Sequence, residues 1–482
     1  MNMKASDTRT DGPFSRSLFS SLSRSSLNRT PCEDFQVVVL MGGLGTRLGE
    51  YTKEVPKPLV KVSGRPFFDY ELMLLKHYGF RKFLFLTGYK AGMIEDHYGD
   101  GSDLGISIQY CYDGEKLLGT GGAIRRAYEL LEDDFLVIYG DSFMDIDYEE
   151  TIFRYLKGKE EGKRAVMTVL KNNDRFDKSN VVVKDGSIVL YDKKEPVPEM
   201  EYIDYGVCIY EKSLFEDFPA GEGFDIAELQ KRLSINGELA AHIVDKRFYE
   251  IGSPGSLSEF GAYIEDRLYR KHPAVFLDRD GVLDEIVFNE DIEQLDAPLT
   301  LSEFKLFPFV KEALGIIRDK GYYIFIATNQ PGAAKGKAKL LTLYDINHAM
   351  VADLMKDGIM IDGVYSCIHY PQRLSYIGEG RLGVLEEFLI QPCDCRKPKD
   401  GLIRRPSDIY NIDYENSFMV GDSLTDISAG ASAGVKTAFI GDLKCDACKK
   451  LCSASPDMIV RDVLEFANRL DDAAEKKKGD IA

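Results

Sequence analysis

Short apolar runs that stop abruptly at glycine or aspartate recur along this chain, separated by stretches of helical spacing. "VVVLM" runs into Gly42-Gly43, "FLFLT" into Gly88 and "FLVIY" into Gly140-Asp141. Between them, "FFDYELMLLKHYGF" and "AIRRAYELLEDD" read as amphipathic helices. A second series follows: "AVFL" leads into Asp278, "YYIFIA" into Thr328 and "SFMV" into Gly421-Asp422. Apolar strands spaced by helices build a mostly parallel sheet, which keeps its ligand site at the carboxyl ends of its strands. The expected fold class is therefore α/β, twice over, with each chemically interesting residue at a strand end.

At 482 residues the chain exceeds one ordinary core. The expected division is a tail over residues 1–34, a first domain over 35–270, a second over 271–470 and a charged tail over 471–482. The junction follows the charged helix "SLSEFGAYIEDRLYRKHP"; with no Gly/Ser-rich linker there, the two domains should pack closely. "FSRSLFSSLSRSSLNRT" reads as a disordered tail, with a weak organelle-targeting segment as the other reading. A net charge of −18 argues against a nucleic-acid partner, because a polyanion is repelled over most of the surface. Small anions remain admissible where Lys, Arg, backbone amides or Mg²⁺ receive them. No apolar run reaches the ~20 residues that span a bilayer, so no membrane partner is expected. Nine cysteines without a secretory signal point to a reducing, cytoplasmic compartment.

Residues 41–66, "MGGLGTRLGEYTKEVPKPLVKVSGRP", place a glycine-rich turn directly after a strand. Gly42, Gly43 and Gly45 would let backbone N–H groups approach phosphates, and Arg47 and Lys57 add positive charge. Such a loop alone is often only a tight turn, but here Arg47 and Pro56-Lys57-Pro58 follow it. That longer pattern resembles the sugar-1-phosphate nucleotidyltransferase family over about residues 36–265. "LGTGGAIRRA" is similar to the family's second nucleotide-binding loop, which implies substrate contacts at Gly119, Thr120 and Gly121. "YGDSFMDID" resembles the strand end whose aspartate, here Asp141, holds Mg²⁺, and "RFYEIGSPGSL" resembles the closing metal motif. At that motif the family usually has Asp where this chain has Glu250. "YIDYGVCIY" resembles the sugar-contacting segment, and the mixed pattern over roughly 180–250 would suit a sugar-binding lobe. The resemblance implies attack of a sugar 1-phosphate oxygen on the α-phosphorus of a nucleoside triphosphate, with Arg47 and Lys57 as catalytic cations. Lys193 is a candidate for the sugar phosphate, a solvated lysine being the plainer reading.

"DRDGVLD", "ATNQPG", "CRKPKDG" and "VGDSLTD" resemble, in order and in type, the four motifs of haloacid dehalogenase-like phosphatases over about residues 274–465. The resemblance implies that Asp278 is the nucleophile and that Asp280 protonates the leaving alkoxide, then activates water. It assigns phosphoryl contacts to Thr328 and Lys397, with Arg279, Asn329, Gln330 and Arg396 as further substrate contacts. Mg²⁺ would lie between Asp278, Asp422 and the backbone carbonyl of Asp280, with Asp426 as a supporting carboxylate. Cys367-x-His369 and Cys393-x-Cys395 make a three-thiolate, one-imidazole set suited to closed, structural zinc that braces the loop carrying Arg396 and Lys397. "KCDACKKLC" (445–452) is expected to hold reduced thiols, a second metal site being the alternative.

Within these families the zinc pattern resembles D-glycero-D-manno-heptose 1,7-bisphosphate 7-phosphatases and the related histidinol-phosphate phosphatases. The transferase segments look most like D-glycero-α-D-manno-heptose 1-phosphate guanylyltransferases. The implied fold is two Rossmann-like domains: an N-terminal nucleotide-diphospho-sugar transferase fold and a C-terminal haloacid dehalogenase-like fold with a small zinc-braced loop. The implied function is removal of the 7-phosphate from the heptose bisphosphate, then transfer of GMP from GTP to the heptose 1-phosphate. Mg²⁺ would serve both domains, and a homo-oligomer is left open. The alternatives are the same activities on another sugar phosphate or nucleotide, a histidinol-phosphate-type phosphatase fused to a transferase, or one catalytically dead regulatory half.

Overall fold

The computed structural model describes residues 30–114, 118–289, 293–372, 386–441 and 455–471. The cysteines of 445–452 lie outside the described residues, as do the two expected tails except for 30–34 and 471. Every apolar run singled out above is a strand. In the first half these are β1 (Gln36–Met41), β2 (Lys82–Thr87), β3 (Ser107–Tyr112), β4 (Asp134–Tyr139), β5 (Ala165–Lys171), β6 (Val181–Lys184), β7 (Ser187–Tyr191), β8 (Tyr202–Glu211) and β9 (Leu239–Val244). They form one sheet in the order β3-β2-β1-β4-β8-β5-β9-β7-β6. β1 runs parallel to β2 and β4, whereas β8 is antiparallel to both β4 and β5, and β6 and β7 form an antiparallel hairpin. The mixed sequence pattern of that region thus reflects strands that reverse direction.

In the second half, β10 (Ala274–Leu277), β11 (Tyr323–Asn329), β12 (Gly363–Cys367), β13 (Phe418–Gly421), β14 (Lys436–Ile440) and β15 (Met458–Val460) make a parallel sheet ordered β12-β11-β10-β13-β14-β15. All four residues of β10 are buried, as a central strand covered on both faces requires.

Helical spacing is realised less evenly. "FFDYELMLLKHYGF" becomes the helix Phe67–Tyr78, buried throughout and stopped by Gly79 at φ +106°. "AIRRAYELLEDD" is helical only to Arg126, in a helix that starts at Gly119, and then tightens into a 3-10 turn over Tyr128–Leu130.

The two halves share a core rather than merely touching. One apolar cluster runs from Phe67 and Tyr148 in the first half to Phe276, Phe325 and Tyr410 in the second. Charge is buried in the same seam. Arg267, only 2% exposed, donates to Asp145 Oδ2 at 2.7 Å and to the Ile409 carbonyl at 2.8 Å. Its guanidinium lies 4.0 Å from the Tyr410 ring centroid. Lys246 reaches the same Asp145 carboxylate at 2.8 Å and the Asp362 carbonyl at 2.9 Å. Burial opposes the Asp145 charge, but Arg267 and Lys246 outweigh it and hold its pKa well below the usual carboxylate range.

Removing one partner of a buried pair leaves the other charge without compensation. Arg267→Ala should therefore cost about 3–5 kcal/mol of stability. Denaturant unfolding with the Asp145→Asn/Arg267→Ala double variant would check this: the double variant should recover part of the loss.

Candidate active sites

β1 and β4 lie side by side with Leu40 opposite Tyr139, so the glycine turn after β1 and Asp141 after β4 emerge at the same sheet edge. A two-stranded ribbon, Ser142–Phe143 against Tyr249–Glu250, brings Glu250 opposite Ser142, and the Ile251 N–H donates to the Asp141 carbonyl at 3.0 Å. Lys57, 9% exposed, reaches into this carboxylate pair. Its Nζ lies 2.5 Å from Asp141 Oδ2 and 3.6 Å from Glu250 Oε1. Arg47 donates to Glu250 Oε1 at 3.4 Å. The sequence-predicted Arg47, Lys57, Asp141 and Glu250 are thus one cluster, and the longer arm of Glu250 reaches both cations. Two carboxylates on adjacent segments suit a divalent cation, although in this arrangement the Lys57 ammonium occupies the space between them.

The glycines divide by role. A Cβ at Gly42 would stand 2.6 Å from Asp113 Oδ2, and Gly45 adopts φ +64°, so both answer local geometry. Gly43 is exposed, and a Cβ there would meet nothing within 4 Å. Gly119 and Gly121 are packed against the segment around Phe224, where a Cβ would meet the Phe224 carbonyl at 2.7 Å and its ring at 2.2 Å respectively. The Gly121 N–H donates to that carbonyl at 3.1 Å, and Thr120 bonds Asp225 and the Ile226 N–H. The Gly121 amide is thus engaged by the chain itself. Lys193 lies apart from the Lys57 cluster, 3.8 Å from Asp204 Oδ2.

In the second half, register does the same work. Leu277 pairs with Ile326 on one side and Val420 on the other, which sets Asp278 beside the ends of β11 and β13. Asp278 Oδ1 accepts from the Arg279 N–H at 2.8 Å and from Lys397 Nζ at 2.9 Å. Lys397, 2% exposed, also reaches Asp426 Oδ1 at 2.6 Å. Burial opposes its charge, but Asp278 and Asp426 together keep its pKa above the ordinary lysine range. Asn329 fixes the Lys397 backbone by donating to its carbonyl at 3.2 Å and accepting from its N–H at 3.1 Å. Gln330 donates to Asp280 Oδ2 at 2.6 Å and to the Thr328 hydroxyl oxygen at 3.0 Å.

Asp278, Asp422 and Asp426 offer carboxylate oxygens within 4.8 Å of one another. Burial, then the neighbouring Asp278, pushes Asp422 up to about 6, and burial pushes Asp426 up to about 7 against the pull of Lys397. Crowded carboxylates of this kind fit a divalent cation, which would relieve their repulsion. Asp426 is spoken for by Lys397 and by the Ser423 N–H at 3.0 Å, in keeping with a supporting role.

Arg279 is 0% exposed. It donates to Asp280 Oδ1 from Nη2 at 2.8 Å and to Asn347 Oδ1 at 2.8 Å, so it orients the carboxyl that the sequence motif assigns to proton transfer. Asn347, in the middle of the helix Leu340–Lys356, carries no motif and was missed. Asp284 was also missed as a separate participant. It is fully buried, 3.8 Å from Arg279 Nε, and burial followed by Asp280 pushes its pKa up to about 8.

The expected zinc ligands converge from β12 and from the segment before Lys397. Cys367 Sγ lies 3.6 Å from Cys393 Sγ, and His369 Nδ1 lies 3.3 Å from Cys395 Sγ, with all four ligand atoms within 4.8 Å. Zinc–sulfur bonds of ~2.3 Å imply ligand separations of about 3.7 Å in a tetrahedron, so the donor set fits. Arg396, next in sequence, lies over the Tyr370 ring at 5.4 Å. Part of the long interval between His369 and Cys393 falls outside the described residues.

Comparison with known proteins follows these two clusters. The Nucleotidyl transferase family model matches residues 36–267, and the HAD-hydrolase-like model matches residues 394–466. D-glycero-alpha-D-manno-heptose 1-phosphate guanylyltransferase of Campylobacter jejuni is 30% identical over 225 residues, 47% of this chain and 98% of that protein. D-glycero-beta-D-manno-heptose-1,7-bisphosphate 7-phosphatase of Haemophilus ducreyi is 38% identical over 168 residues, 35% of this chain and 81% of that protein. The crystal structure of HddC from Yersinia pseudotuberculosis complexed with GMP-PN is 27% identical, with a TM-score of 0.41, and the match covers 48% of this chain and 99% of that one.

If the Cys₃His cluster holds zinc, its thiols are shielded while the metal is bound. Chelator treatment of zinc-loaded protein should expose three further alkylatable thiols, mapped by peptide mass to Cys367, Cys393 and Cys395. Equal alkylation with and without chelator would exclude the metal.

Proposed function

This chain belongs both to the nucleotidyl transferases and to the HAD-like hydrolases, and from that premise we propose that its two sites act in turn on one sugar. The second site removes the 7-phosphate of D-glycero-D-manno-heptose 1,7-bisphosphate. The first transfers GMP from GTP to the resulting heptose 1-phosphate, giving GDP-D-glycero-α-D-manno-heptose and pyrophosphate. One observation carries the reading: the relatives of the two halves are named for chemically consecutive steps, the product of one being the kind of substrate the other uses.

In the hydrolase site, Asp278 Oδ1 is held by the Arg279 N–H and Lys397, leaving Oδ2 to attack the 7-phosphorus. The new Asp278 O–P bond forms as the P–O bond to the sugar breaks, and Asp280 gives its proton to the departing alkoxide. Burial favours the protonated carboxyl of Asp280, with Arg279 pulling the other way. Asp280 then takes a proton from water as that water attacks phosphorus, which releases phosphate and restores Asp278. Asp278, Asp422 and the Asp280 carbonyl would hold Mg²⁺, which supplies neutralisation of phosphoryl charge.

In the transferase site both reactants are anions, so positioning and charge neutralisation carry the chemistry. Lys57 would meet the α-phosphate and Arg47 the leaving phosphates. Asp141 and Glu250 would hold Mg²⁺ once Lys57 turns to the nucleotide. The contacts of Lys57 with both Asp141 and Glu250 and the exposed position of Gly43 support this reading.

The anomer is the sharpest test. The hydrolase relative is named for a β-configured bisphosphate and the transferase relative for an α-configured 1-phosphate. Separate α and β heptose 1,7-bisphosphates should be supplied with GTP and Mg²⁺, following phosphate, pyrophosphate and nucleotide sugar, with UTP, CTP, ATP and dTTP in parallel. Nucleotide sugar from the α-anomer with GTP supports the sequence of steps. Phosphate release from the β-anomer alone would separate the two halves into different routes.

Asp280→Asn should slow phosphate release about 10²–10⁴-fold while sparing GMP transfer to supplied heptose 1-phosphate. Lys57→Ala should do the reverse, slowing transfer about 10²–10³-fold. Assaying each half-reaction on both variants checks the assignment, and any crossed effect would contradict it.

A further inference from the structure

A third set of ligating side chains gathers at the seam, away from both catalytic clusters. Glu150 lies on the helix Tyr148–Glu160 and His242 on β9, both in the first half, while His348 comes from the helix Leu340–Lys356 of the second. One ligand atom from each lies within 4.8 Å of the others. Glu150 is 2% exposed and His242 1%, so these groups are withdrawn from water.

The hydrogen bonds around the two imidazoles define which nitrogen faces inward. Thr151 donates its hydroxyl proton to the Asp147 carbonyl at 3.1 Å, so its oxygen is left to accept from His242 Nδ1–H at 3.0 Å. Asp245 Oδ2 accepts from His348 Nδ1–H at 2.7 Å. Both rings therefore turn Nε2 toward Glu150. His348 Nε2 lies 2.9 Å from Oε2, and His242 Nε2 lies 3.5 Å from Oε1. The buried His242 Nε2 has no hydrogen-bond partner of acceptable geometry among the described residues.

An imidazole lone pair facing a carboxylate is repelled unless a proton or a metal ion lies between them. A ring whose Nδ1–H is held by a carboxylate or hydroxyl oxygen presents Nε2 in the manner of a metal-bound histidine. Zinc bonds to nitrogen and oxygen of ~2.0–2.1 Å imply ligand separations of about 3.3 Å, close to those found here. Two imidazoles with one carboxylate favour zinc or a similar divalent transition metal over Mg²⁺ or Ca²⁺, which prefer oxygen. Arg154 donates to Glu150 Oε1 at 2.7 Å, the oxygen that also faces His242, while Oε2 is left to His348. Glu150, His242 and His348 also line a cavity of about 770 Å³ between the halves, where a water can complete the coordination.

We propose that Glu150, His242 and His348 bind one zinc ion across the seam, tying the two catalytic halves together. Asp245 and Thr151 are positioning residues that hold the imidazoles with Nε2 inward. Neither catalytic cluster contributes a ligand, so the site is separate from the Mg²⁺ positions and from the Cys₃His set.

The test counts zinc by elemental mass spectrometry in full-length protein that has been zinc-loaded and desalted. Wild type should hold two equivalents if the thiolate cluster is also loaded. His242→Gln and His348→Gln, which keep a polar side chain of similar size, should each hold one fewer than wild type. Cys393→Ser/Cys395→Ser should retain one equivalent whose X-ray absorption shows nitrogen and oxygen neighbours without sulfur. Should that cysteine variant fail to fold, the two glutamine variants decide by themselves, with circular dichroism as the folding control. Zinc content unchanged in folded His242→Gln and His348→Gln overturns the proposal and leaves a buried His348–Glu150 ion pair. An empty thiolate cluster does not: wild type would then hold one equivalent, still lost in the glutamine variants.

Discussion

Carboxylates gathered at the carboxyl ends of parallel strands repel one another, and in both halves of this chain a buried lysine answers that repulsion. Lys57 stands between Asp141 and Glu250, and Lys397 between Asp278 and Asp426. Each lysine is nearly sealed from water, so its charge is poorly screened and acts strongly at short range. At Lys397 the acids in turn keep the amine charged despite its burial. This mutual dependence holds each cluster together through the chain's own charges.

The lysines reach their positions by different means. Lys57 sits in a short 3-10 turn over Lys57–Leu59, just after Pro56, which keeps the preceding Val55 extended and so ends the helix Glu50–Glu54. Lys397 is fixed by its backbone: Asn329 clasps it from the end of β11, and the Cys367, His369, Cys393 and Cys395 cluster gathers the chain just before it. A structural metal there would act on chemistry indirectly, by holding one amine in register with one nucleophile.

Legibility in the sequence follows the range of the interactions. The apolar runs, the residues at their ends and the four clustered Cys and His side chains were readable because each signal is a local pattern. Arg279 shows what such a pattern does not carry. Its place between Asp278 and Asp280 suggests contact with substrate, but the side chain turns inward to Asn347, 68 residues along the chain. Gly121 shows the same limit: a glycine-rich stretch looks alike whether it makes room for a phosphate or, as here, for the Phe224 ring.

What the sequence determined by itself is the alternation of strands and helices, and hence two sheets each with reactive groups at one edge. It did so because strand burial, helical period and strand-end turns are properties of neighbouring residues. Only the tertiary structure decided that Asp145 meets Arg267, that His77 meets Asp408, and that Glu150, His242 and His348 converge. Each of those residues is an ordinary polar side chain in its own segment. Their chemistry arises when packing removes water from around them, and the chain records no local pattern for a neighbour that arrives from a distant segment.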